Sequence, residues 1–97
     1  MTKQDASRTT EADAPPDAPA LAALWWAAKD PAHWDQAHKL VQDDSGRDAA
    51  WVHAHLHRLE GGQDNAAYWY AQAGRPVAEG DLSAERDAIT AALLAAG

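Results

Sequence analysis

Ninety-seven residues suffice for one domain and fall short of two, and the large apolar set is small: eight Leu, three Val, one Ile and no Phe. Eight Lys and Arg against fifteen Asp and Glu leave a formal charge of −7, which argues against a nucleic-acid partner, since phosphate backbones require clustered basic residues, and against anionic membrane surfaces. There is no Cys, so disulfides, thiolate metal sites and cysteine nucleophiles are excluded.

The bulk of any core must come from five Trp and two Tyr, each ring able to bury roughly 150–250 Å². Twenty-five Ala raise the apolar fraction while adding little burial each. Ala is the strongest helix former, whereas the β-branched residues that favour strands are nearly absent. The predicted fold is all-α: four or five short helices in an up-and-down stack of helical hairpins, tetratricopeptide-like in character. The longest apolar run, Ala18 to Ala28, is shorter than the roughly 20 residues that span a bilayer. No basic segment followed by an apolar stretch opens the chain, so the expected location is cytoplasmic.

Residues 1–17 are polar and Pro-containing and read as a disordered leader; residues 18–97 read as the single helical domain. The first helix is predicted from Pro19 with Asp17 as its cap, and it aligns Leu21, Leu24, Trp25 and Ala28. Trp26 points elsewhere. Asp30-Pro31 supplies an N-cap and a first helical position for a second helix reaching about Asp43. Its inward stripe is Trp34, Ala37, His38 and Val41. Asp48 is the expected cap of a third helix from Ala49 to Glu60, stopped by Gly61-Gly62. There Val52, Leu56 and Leu59 form the apolar arc, His53, His57 and Glu60 share one edge, and Trp51, His55 and Arg58 lie on the far side. A Trp opposite the main stripe implies a helix sandwiched between neighbours. Asp64 or Asn65 starts a fourth helix carrying Ala66, Trp69, Tyr70 and Ala73, and Gly74-Arg75-Pro76 ends it. After a loop from Val77 to Asp81, a last helix from about Ser83 to Ala96 aligns Leu82, Ile89, Ala92, Leu93 and Ala96.

The segment GGQDNAAYWYAQAG at 61–74 resembles the A-x-x-W-Y-x-x-A pattern of the Sel-like variety of tetratricopeptide repeat through Ala66, Trp69, Tyr70 and Ala73. Small Ala residues let a helix seat closely against its neighbour while the aromatic pair fills the groove. Over a wider span, WDQAHKLVQDD, AWVHAHLHRLEGG and DNAAYWYAQAGRP resemble an uncharacterised family of small bacterial and fungal helical proteins. The family pattern carries an acid where this chain has Gly62. The resemblance implies an independent helical domain and no activity.

Histidine is the main chemical lead. His53 and His57, four apart on a helix, turn both imidazoles to one face. Glu60 follows one turn later, and His38 lies on the inward stripe of the preceding helix. With Tyr70 they form the candidate binding set. Zinc-protease spacing would require Glu after the first His, and Ala54 stands there. Sequence alone therefore favours packing roles, with no cofactor and no metal expected, and a small-ligand or metal site as the alternative. No Ser is placed as a nucleophile with these groups. Asp43, Asp44 and Asp48 flank a turn without the spacing of a calcium loop. Trp26, Trp51 and Tyr68 lie off the main stripes and are the candidate interface, for a protein partner or for self-association. The leading expectation is a small protein-interaction or scaffold domain.

Overall fold

The computed structural model describes residues 18–29 and 33–96. The leader and the Asp17 and Asp30-Pro31 caps lie outside those residues. Within them are five helices and no strand: α1 (Pro19–Lys29), α2 (Trp34–Val41), α3 (Arg47–Leu59), α4 (Gln63–Ala73) and α5 (Leu82–Ala96). The main contacts pair α1 with α2 and α3 with α4 as hairpins, and α5 closes against α3 and α1. All four other helices touch α3, so the sandwiched helix expected from Trp51 is the axis of the fold.

Small side chains set how closely the helices approach. Ala54 on α3 and Ala66 on α4 are both fully enclosed and meet the Tyr70 ring in one core cluster. A larger cluster joins Ala23 and Leu24 of α1, Ala37 and Val41 of α2, Val52 and Leu56 of α3, and Ile89 and Leu93 of α5. Trp51 packs against both clusters. The expected stripes are largely those buried. Leu59 is an exception: it was placed on the α3 arc, but it is the last residue of the helix and is exposed.

The helix ends show where side-chain signals misplace boundaries. α3 begins two residues before the expected Ala49, with Gly46 in the cap position. The Asp44 carboxylate accepts the Gly46 N–H at 2.8 Å, which makes that acid a turn former. Asp48 is a first-turn residue, where a carboxylate favours the positive end of the helix dipole. α4 likewise starts at Gln63, ahead of Asp64 and Asn65. Gly74, at φ 71°, closes α4 as expected: the Arg75 N–H returns to the Tyr70 carbonyl at 3.0 Å. Asp81 caps α5 by accepting the Ala84 N–H at 2.8 Å.

Candidate functional site

The hairpin pairs and the close α2–α3 approach gather three imidazoles in one place. His38 lies in the last turn of α2, and His53 and His57 lie one turn apart on α3. One ligating nitrogen from each can be chosen so that all three lie within 4.8 Å of one another. His38 Nε2 and His53 Nε2 are 2.9 Å apart. The fourth member of the sequence set, Glu60, accepts from His57 Nδ1 at 2.7 Å. That bond fixes the His57 tautomer, so its free donor atom is Nε2.

Aromatic rings hold the imidazoles in position. Trp34 stacks on His38 with centroids 4.7 Å apart and meets His57 edge-on. Its indole N–H donates to the Leu56 carbonyl at 2.6 Å, tying α2 to α3. Trp69 of α4 stacks on His53 at 3.8 Å. Both Trp residues were expected to be core; each is half-buried, serving as a wall beside the cluster. His53 and His57 are buried and His38 is half-buried. His53 Nδ1 is enclosed without a hydrogen-bond partner.

This environment favours the neutral forms of His53 and His38. Burial, followed by the neighbouring His38 and His57, pushes His53 down to about 4. Burial and the nearby His57 lower His38 as well, against opposing pulls from Glu60 and Asp35. A neutral imidazole is the form that coordinates metal.

A stability profile follows for the metal-free chain in chelator. Unfolded His53 takes up its proton near pH 6.5, and folded His53 only near about 4. Between those values the unfolded state holds more protons, so stability is full above pH 6.5 and falls as the medium is acidified. The loss is up to about 1.4 kcal/mol per pH unit, roughly 3 kcal/mol by pH 4. Urea unfolding at successive pH values should show this decline and a shallower one in His53→Gln. A wild-type profile flat from pH 7 to 5 would contradict the buried, neutral His53.

Tyr70 does not join the imidazoles, contrary to its place in the expected binding set. Its hydroxyl donates to Glu85 Oε2 in a second polar cluster on the opposite side of α3. Glu85 Oε1 also accepts from His55 Nδ1 at 2.6 Å and from Arg58 Nη1 at 2.8 Å. Arg58 Nη2 donates to the Gly80 carbonyl at 2.8 Å. Burial opposes the Glu85 charge, but the hydrogen bonds from His55 and Tyr70 outweigh it and hold the carboxyl below its ordinary value. Burial, and then the Glu85 carboxylate, raises Tyr70. The cluster thus consists of an ionised carboxylate with three donors, joining α3, α4 and α5.

The candidate interface residues separate. Trp26 is half-buried, packs on the main core and meets the Trp25 ring edge-on. Trp51 is half-buried, with the Arg75 guanidinium 3.6 Å above its ring. Tyr68 is exposed at 57%. Among the described residues no helix is long and apolar enough to cross a membrane. Comparison with protein-family models, curated proteins and solved structures finds no match.

Proposed function

We propose that this protein is a small helical metal-binding protein whose ligands are the imidazoles of His38, His53 and His57. The observation that carries the reading is their convergence: three ring nitrogens within 4.8 Å of one another, contributed by two packed helices. Tetrahedral zinc with nitrogen ligands at about 2.0–2.1 Å spaces its donors roughly 3.3 Å apart. The His38 and His53 nitrogens, 2.9 Å apart in a hydrogen bond, would exchange that bond for a shared metal at nearly the same separation.

Three further features support it. Glu60 on His57 Nδ1 is the carboxylate–histidine arrangement that orients a ligating ring and raises its basicity. His38 and His57 occupy the last turns of their helices, where the helix dipole favours a cation. His53 and His38 are held toward their neutral forms. A donor set of neutral imidazoles selects zinc, cobalt, nickel or copper over magnesium or calcium. The alternative of a protein-interaction module retains the exposed Tyr68 ring together with the half-buried Trp26 and Trp51 as its candidate surface.

Thermal unfolding with and without metal tests the proposal. A metal that binds only the folded state adds about 2.7 kcal/mol at a hundredfold excess over Kd, several degrees of melting temperature for a domain of this size. Zinc or nickel should raise the midpoint reversibly, with the gain abolished by chelator and by His38→Ala. No shift with any of the four metals would refute the reading.

A further inference from the structure

We infer that the three-imidazole site is an exchange site, which keeps one coordination position on its His38 side for water or a small monodentate anion. This rests on the metal-binding reading above. A borderline dication of this kind takes at least four ligands, and sites closed for structural purposes obtain all four from the protein. Among the described residues the converging group consists of three imidazoles. Glu60 is committed to His57 Nδ1, and its side chain is 42% exposed, so it orients a ligand.

The surroundings place the remaining position. Trp69 covers His53 from α4. The core between α2 and α3 is filled by Ala37, Val41, Val52 and Leu56, whose side chains offer no donor atom. His38 is half-buried whereas His53 and His57 are buried, so an ion held here would meet solvent from the His38 side. Neutral imidazoles leave the full double charge on the ion, which favours an anionic occupant. In the exchange the incoming anion donates a lone pair to the metal as the metal–water bond breaks and the water departs. No electron changes owner. A loaded site of this form can act as a Lewis acid on bound water or on a carbonyl or phosphoryl oxygen.

The test is an azide titration of the full chain loaded with cobalt(II), following the visible ligand-field bands, with cobalt binding measured separately by calorimetry. The expected result is a saturable shift of the bands in the wild type, reversed when azide is removed by dialysis. If cobalt binds and azide leaves the spectrum unmoved, the site is closed; the inference is overturned while the metal-binding reading stands. A response that emerges only in Glu60→Ala would overturn it too, by identifying Glu60 as the fourth ligand. If calorimetry detects no cobalt binding, both fall together.

Discussion

Replacing Glu85 by Ala is expected to destabilise the fold by roughly 3–5 kcal/mol, the range for breaking a buried ionic cluster by removing one partner. Net stabilities of small domains run about 5–15 kcal/mol, so the variant should sit near its unfolding midpoint under mild conditions. The loss arises from what remains behind. With Glu85 gone, Arg58 loses its carboxylate partner and keeps the Gly80 carbonyl and the neighbouring Tyr70, and the donors from His55 and Tyr70 lose their shared acceptor. The Arg58 and Glu85 side chains are each 8% exposed and that of His55 is 1% exposed, so water can replace little of the lost bonding. Glu85→Gln preserves an acceptor oxygen and removes the charge, and its loss should be smaller. Acid should act on the same group: because the folded carboxyl is held low, its contribution is present above the ordinary Glu value and disappears as pH falls below it. Urea unfolding of the two variants at neutral pH is the measurement. A Glu85→Ala midpoint close to wild type would mean that the cluster holds little of the fold together.

The second large effect concerns Glu60. Removing a carboxylate that orients a ligating imidazole typically lowers metal affinity by about 10–100-fold. Glu60→Ala should weaken zinc binding on that scale while moving apo-protein stability by no more than about 1 kcal/mol, since Glu60 is exposed at the end of α3. Calorimetric titration of both proteins, alongside urea curves in chelator, separates these quantities. Unchanged affinity would remove Glu60 from the site.

Much of the fold was legible because its signals are local. Gly74-Arg75-Pro76 and Gly61-Gly62 mark helix ends through backbone geometry, and Gly61 and Gly74 adopt positive φ. Helical phase alone grouped His53, His57 and Glu60, and the inward stripe of α2 added His38. The tertiary fold then supplied what phase cannot: the distance between α2 and α3, and the Trp34 and Trp69 walls.

Glu85 was missed for a related reason. Its partners lie 15 to 30 residues away on other helices, and Ala-Glu-Arg-Asp reads as a solvent face. One signal was available. His55 and Arg58 share the side of α3 opposite its apolar arc, and a helix sandwiched on that side must pair such groups. The caps of α3 and α4 were misplaced because Gly46 and Gly62 offer no side chain to recognise. Helical phase set Trp51 opposite the apolar arc of α3, and the fold shows why: the half-buried ring packs against two core clusters at once.

X-ray absorption at the zinc edge of the loaded, desalted protein reads the ligands of the bound ion themselves. Three imidazole nitrogens at about 2.0–2.1 Å and one further light-atom ligand are expected, with one zinc retained per chain. Zinc that washes out on desalting, or a shell of oxygen ligands without imidazole, would contradict it.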